Sequence, residues 1–273
     1  MHIYLVQLNI TWEEQMSNYK RVEALLENAC PSPGSIVALP ELFATGYTMR
    51  SKVFEEKLSS GSTMEFLKTL ARRYEVFILG TLILSASDNQ LPNNSAIVVS
   101  PQGQILSRYD KTHLLPVSGE PQAYTPGAAL TSFQIDGMSF GVLICYDLRF
   151  PELFRIFYNQ GVDGIFVIAN WPALRHLHWE TLIRARAIEN QCYVFAVNRV
   201  GSDPSHTYQG GTSIISPSGE ILCVSHKEEI VSCSIDPLLA KEARRQFPIL
   251  ASSNFSLYQQ FAPYSHMKAK TSA

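Results

Sequence analysis

The sequence predicts an α/β protein in which two related β-sheets pack face to face with helices outside. Three observations carry that reading. Near-continuous apolar runs of strand length alternate with amphipathic helical stretches. A Ser-Pro-x-Gly hairpin occurs once in each half, and no Pro/Ser/Gly-rich linker divides the 273 residues. A hydrophobic content of 46% against 17% charged residues suits a chain that buries its core without disulfide or metal staples. A single domain over residues 1–250 is expected, followed by a C-terminal tail over 251–273.

The segments SIVALP (35–40), VFILGTLIL (76–84), FGVLIC (140–145), DGIFVIA (163–169) and CYVFAV (192–197) are near-continuously apolar, as strands buried on both faces are. Helical signals lie between them. Residues 62–73 read as a helix opened by a Ser62/Glu65 capping box, with Phe66, Leu67, Leu70 and Ala71 on one face. Residues 151–160 begin with Pro151 in the first turn and stop before Gly161. Residues 177–191 bring Trp179, Leu182 and Ile183 together at helical spacing. AIVVSPQGQIL (96–106) and TSIISPSGEIL (212–222) read as equivalent hairpins, and so as a duplicated layout.

Charge and cysteine usage exclude several function classes. The 22 basic and 24 acidic residues give a net charge of −2 with no long run of either sign, which argues against nucleic acid or an anionic membrane as the main partner. The N-terminus lacks the basic and apolar regions of a secretory leader, and no apolar stretch approaches the roughly 20 residues of a membrane helix. Five irregularly spaced cysteines do not make a disulfide framework, so a reducing cytoplasm is expected.

Three strand-like segments end in a polar residue: SIVALPE at Glu41, GVLIC at Cys145 and GIFVIAN at Asn170, which precedes Trp171. Strand carboxyl ends are where ligands bind in open α/β sheets. Lys111 follows another short strand and Glu120 lies in a loop. Singly, each has an ordinary reading: a first-turn acid, a solvated lysine, a packed thiol, a surface acid. Together they describe a thiol nucleophile, a carboxylate base and a cation for an oxyanion. No histidine lies in a comparable strand-end context.

LPELFATGY around Glu41, YDKTHLLP around Lys111 and GVLICYDLRFPELF around Cys145 resemble, in that order, the signature segments of the nitrilase superfamily, the carbon–nitrogen hydrolases. ANWPALR, HW and NRVGSD make the chain most similar to the omega-amidase branch, which acts on 2-oxoglutaramate and 2-oxosuccinamate. The resemblance implies a four-layer α-β-β-α sandwich and a homodimer to which the tail contributes. It also implies Cys145 as nucleophile, Glu41 as general base, Lys111 with the Tyr146 backbone N–H at the oxyanion, and Glu120 orienting the lysine. The implied partners are a small amide and water, with no cofactor and no metal.

A 2-oxo acid carries a carboxylate suited to a bidentate arginine. Arg175 is the preferred candidate, whereas Arg149 reads as a structural ion-pair partner. Phe43, Tyr47, Trp171 and Asn170 are candidate pocket residues. The alternatives are an amidase for deaminated glutathione, an N-carbamoyl amino-acid hydrolase, a nitrile hydrolase and, in another class, a non-catalytic binding protein. His176/His178 and Cys223-x-x-His226 lack the second ligand pair of a zinc site. G-x-S-x-G, G-x-x-x-x-G-K and G-x-G-x-x-G are absent.

Overall fold

The computed structural model describes residues 1–86, 90–254 and 257. Most of the tail assigned to a dimer interface lies outside the described residues. In chain order the first half comprises β1 (His2–Gln7), α1 (Gln15–Ala29), β2 (Ile36–Ala38), α2 (Ser51–Phe54), α3 (Ser62–Tyr74), β3 (Phe77–Leu84), β4 (Asn93–Val99), β5 (Ile105–Asp110) and α4 (Glu120–Ala123). The second half comprises β6 (Ser132–Ile135), β7 (Met138–Ile144), α5 (Pro151–Asn159), β8 (Gly164–Ile168), α6 (His176–Asn190), β9 (Tyr193–Val197), β10 (Val200–Ser202), β11 (Thr207–Gln209), β12 (Thr212–Ile215) and β13 (Ile221–Ser225). β14 (Glu229–Ser234) and α7 (Leu239–Gln246) follow.

The duplication is real and extends to topology. One sheet has the order β14-β1-β2-β3-β4-β5, the other β6-β7-β8-β9-β12-β13 reading from the opposite edge, and β10-β11 form a separate ribbon. Along both large sheets the pairings run antiparallel, parallel, parallel, antiparallel, antiparallel. The two echoed hairpins close alike. Gly103 and Gly219 take φ of 77° and 85°, where a side chain is strained, and donate to the carbonyls of Ser100 and Ser216. Each hairpin also slips register, at Val98/Val99 and at Ile214/Ile215.

Strand alternation divides the layers. Ile3, Leu5, Ile36, Ala38 and Leu79 face the second sheet, in one core with Ile144, Ile165, Val167, Val194 and Ile214. Their neighbours Tyr4, Val6, Val37 and Ile78 pack instead against Val22 and Leu26 of α1 and Leu67 and Leu70 of α3. On the other outer face Phe154 and Phe157 of α5 and Trp179, Ile183 and Ala187 of α6 cover the second sheet. The result is the α-β-β-α order expected.

One local expectation fails. Ser62 does not cap α3, whose N-cap is Gly61. The Glu56 carboxylate takes the N–H of Thr63 instead, at 2.9 and 3.1 Å, because an anion satisfies the free amides and the helix dipole better than a hydroxyl. Glu65 turns outward to Lys68 at 2.6 Å. At α5 the expectation holds: Pro151 is at the first turn, and Gly161 follows with φ 74°. No described helix is long and apolar enough to cross a membrane.

Candidate active site

β1–β3 and β7–β9 each run parallel within their sheets, so their C-terminal turns gather at one edge of each sheet. β5 runs parallel to β3, two antiparallel steps away, and delivers Lys111 at the same edge as Glu41. Cys145 is the first residue beyond β7 and takes φ 48°, a left-handed backbone that a non-glycine residue adopts only under constraint. The short 3₁₀ turn Cys145–Arg149 that follows leaves the Tyr146 N–H in its first turn without an intrahelical acceptor.

Four residues far apart in sequence meet there. Lys111 Nζ lies 3.1 Å from Glu41 Oε1 and 2.7 Å from Glu120 Oε1, all three side chains essentially inaccessible to solvent. Glu41 also accepts from Asn94 Nδ2 at 2.8 Å and from the Asn170 N–H at 2.8 Å, while Asn170 Nδ2 donates to the Glu41 carbonyl at 2.6 Å. Glu120 Oε2 accepts the Leu115 N–H at 2.6 Å. The Cys145 thiol lies 3.8 Å from the Asn170 carbonyl oxygen. Every oxygen of the two glutamates therefore has a donor, as buried carboxylates require.

The electrostatics define the resting protonation. Burial, followed by the Glu41 charge, pushes the Cys145 thiol well above its ordinary pKa, with Lys111 opposing. Burial disfavours the Lys111 charge, but Glu41 and Glu120 more than offset it and hold the ammonium well above its usual range. Burial raises the Glu120 carboxyl and Lys111 pulls it back. The site thus holds a neutral thiol beside an acceptor carboxylate and a fixed cation.

A cavity of about 330 Å³ opens onto Cys145, lined by Tyr47, Leu115, Ser118, Tyr146, Arg149, Asn170, Trp171, Arg175, His206 and Tyr208 among others. Tyr47 donates or accepts at Ser118 Oγ, 2.7 Å away, and its ring lies 5.2 Å from Lys111 Nζ. Trp171 is pinned by its N–H to Asn198 Oδ1 at 2.8 Å and by its indole to the Arg175 carbonyl at 2.8 Å.

Two expectations need correction. Phe43 does not wall the cavity; it is fully buried against Tyr19 and Phe66, because the turn after Glu41 sends it to the helix-covered face of the sheet. Arg149 is not an ion-pair partner. Among the described residues no carboxylate lies within ion-pairing distance; the guanidinium sits 4.9 Å over Trp171, 3.1 Å from His178 Nδ1, and faces the cavity.

Sequence reasoning passed over Asn94, His206 and Tyr208. Asn94 carried a signal, three polar residues opening an otherwise apolar strand. Tyr208 and His206 carried none, because the β10–β11 ribbon that brings them in is set by long-range contacts. Asp203 accepts the N–H groups of Ser205 and His206, both at 2.7 Å, and the buried Arg199 lies 4.3 Å from the Tyr208 ring. NRVGSD is therefore the base of one cavity wall. Among the described residues no group of three or more His, Cys, Asp or Glu is placed to hold a metal ion.

With that geometry in place, the Carbon-nitrogen hydrolase family profile matches residues 3–245. The chain belongs to the carbon–nitrogen hydrolase family. A 2-oxoglutaramate amidase from Bacillus subtilis is 32% identical over 257 residues, spanning 94% of this chain and 98% of the relative. A deaminated glutathione amidase from a Synechocystis strain is 36% identical over 248 residues, spanning 85% and 91%. A crystal structure of a CN-hydrolase superfamily protein from Xanthomonas campestris matches with a TM-score of 0.86 at 31% identity, over 93% of this chain and 97% of that one. This carbon–nitrogen hydrolase is an amide-hydrolysing enzyme with the nitrilase-type sandwich.

Proposed function

We propose that the enzyme releases ammonia from the terminal amide of a small 2-oxo dicarboxylate monoamide, such as 2-oxoglutaramate or 2-oxosuccinamate, through a thioester on Cys145. The observation that carries the reading is the buried Glu41–Lys111–Glu120 cluster beside a thiol in a cavity with two arginines that lack carboxylate partners among the described residues. A neutral thiol needs a base at the moment of attack. Glu41 takes the Cys145 proton as sulfur bonds to the amide carbon, and the carbonyl electron pair moves to oxygen. Lys111 Nζ and the Tyr146 N–H hold that oxyanion, a contribution of about 3 kcal/mol or more.

Collapse of the intermediate breaks the C–N bond as Glu41 returns its proton to nitrogen, and ammonia leaves. Glu41 then takes a proton from water, whose oxygen attacks the thioester. The second oxyanion collapses, the sulfur leaves with the proton, and the acid is released. Glu120 keeps Lys111 charged and aimed throughout. Arg149, braced on Trp171, and Arg175 supply the positive end of the cavity for the substrate carboxylate. The reading retains a cytoplasmic homodimer, and the mass of the assembly in solution tests the latter.

A second reading, an amidase for deaminated glutathione, draws on one further observation. An outer chamber of about 420 Å³ shares Tyr47, Val117, Ser118 and His206 with the inner cavity and gives room for a peptide-like extension. Ammonia release from 2-oxoglutaramate, deaminated glutathione, glutamine, an N-carbamoyl amino acid and a nitrile, measured in parallel, decides between them. A kcat/KM for 2-oxoglutaramate at least tenfold above every other compound supports the proposal. Preference for the tripeptide-like amide replaces it with the second reading.

A further inference from the structure

Asp147 lies two residues beyond Cys145 and is fully buried, yet no Lys or Arg pairs with it among the described residues. Its Oδ2 accepts the Ile144 N–H at 3.1 Å and the Tyr109 hydroxyl at 2.7 Å. Its Oδ1 accepts the His113 N–H at 2.9 Å and lies 3.0 Å from His113 Nδ1. Tyr109 and His113 flank Lys111, two residues to either side. One carboxylate therefore grips the nucleophile's turn on the second sheet and both shoulders of the lysine on the first. The far face of the His113 ring is stacked on Phe150, 3.6 Å between centroids, which holds the imidazole against the carboxylate.

We infer that Asp147 is a positioning residue that sets the separation of Cys145 from Lys111. The inference rests on the reading of those two residues as nucleophile and oxyanion partner. The two sheets meet across an apolar layer, and apolar contact is non-directional, so it does not by itself fix their offset to a fraction of an ångström. Catalysis does need that offset, since a misplacement of about 1 Å costs roughly a hundredfold in rate. Asp147 supplies directional bonds across the seam between the nucleophile's turn and the lysine, as Asn170 does between the end of β8 and Glu41. It also holds the Ile144 N–H just before the left-handed Cys145, so the strained turn and the lysine are located by the same group.

The carboxylate is required because both of its oxygens accept from a backbone N–H. In Asp147→Asn one of those amides would face an N–H group instead, so one side of the clamp opens while size and shape are kept. The test is steady-state hydrolysis by wild type, Asp147→Asn, Tyr109→Phe and Cys145→Ala, with active sites counted as the thiol alkylation in excess of that of Cys145→Ala, since the other four cysteines are also free. The expected result is a fall in kcat per titrated site of roughly a hundredfold for Asp147→Asn and severalfold for Tyr109→Phe, with KM within about twofold. A purely structural role would lower the number of titratable sites and leave kcat per site unchanged.

A per-site kcat within twofold of wild type in Asp147→Asn overturns the inference. If that variant does not fold, an unchanged per-site kcat in Tyr109→Phe overturns it. Turnover retained by Cys145→Ala would instead strike at the nucleophile reading on which the inference rests, whatever the other variants do.

Discussion

Replacing Lys111 by methionine tests the buried charge cluster with a magnitude that the structure sets. Methionine is nearly as long and fills the same channel, so packing changes little and the loss is electrostatic. The variant would leave Glu41 and Glu120 facing each other with no solvent access and no counterion, where wild type has Nζ at 3.1 and 2.7 Å. Breaking a buried ion pair on one side costs about 3–5 kcal/mol. The protein can limit that cost by taking up a proton. Since Lys111 does most to lower the Glu120 pKa, with the Leu115 N–H helping, its removal raises it further.

Holding one carboxyl protonated at pH 7, against an ordinary glutamate pKa of about 4.3, costs about 3.7 kcal/mol, and each pH unit changes the cost by about 1.4 kcal/mol. The sign follows from a raised folded-state pKa. The native variant binds more protons than its unfolded chain, so its stability is retained at low pH and lost as pH rises. Urea unfolding of both proteins at pH 5, 6, 7 and 8 should give a destabilisation near 3–4 kcal/mol at pH 7 that shrinks by about 1.4 kcal/mol per unit toward pH 5. A pH-independent difference would refute the reasoning, because it would mean that no proton is taken up. Turnover should fall by about 10²–10³ at every pH tested.

Other outcomes follow from the same geometry. In Glu41→Gln, turnover should fall by roughly 10³ or more, while the Cys145 thiol pKa, read from thiolate absorbance, should move down because the charge that raises it is gone; a pKa unchanged or higher contradicts the site electrostatics. The raised Cys145 pKa contributes stability that is fully present below the unfolded value of about 8.5 and is lost as pH rises above it. Cys145→Ala should therefore lose about 2 kcal/mol less stability than wild type between pH 8 and 10, measured by denaturant unfolding. Arg149→Met and Arg175→Met should each raise KM for an oxo-acid amide about tenfold or more and leave a neutral amide within twofold. Equal effects on both substrates would remove the arginines from carboxylate recognition.

Some of this was legible because it rests on local rules. The strands at 77–84, 138–144, 164–168 and 193–197 announced themselves as unbroken apolar runs, since helices cover one face of each sheet and the other sheet covers the opposite face. The Ser-Pro-x-Gly pair revealed the duplication because both loops need the same glycine backbone. Glu41 and Cys145 stand out at strand ends, Lys111 after a short strand and Glu120 in a loop; the family resemblance gives them roles, and only the fold shows how they share one buried cluster.

What the sequence concealed depends on direction and distance. The left-handed φ of 44° at Leu42, just past Glu41, precedes Phe43's turn into the core, and no periodicity encodes that. Arg149 lies in the family's shared segment around Cys145 and so reads as a structural ion-pair residue, whereas here Trp171 and His178 brace it. Glu56 displaced Ser62 as the α3 cap from six residues upstream. Asp147 carries no mark in the sequence, because its four contacts come from Tyr109, His113 and Ile144 across two sheets.

The central claim is that the acyl group passes through Cys145. It is tested most directly by partitioning: the 2-oxoglutaramate amide and an ester of the same acid are hydrolysed in the presence of hydroxylamine, and hydroxamate and acid are quantified. A common thioester predicts the same hydroxamate-to-acid ratio from both compounds, and neither product from Cys145→Ala. A ratio that depends on the leaving group, or turnover that survives loss of the thiol, would contradict the account.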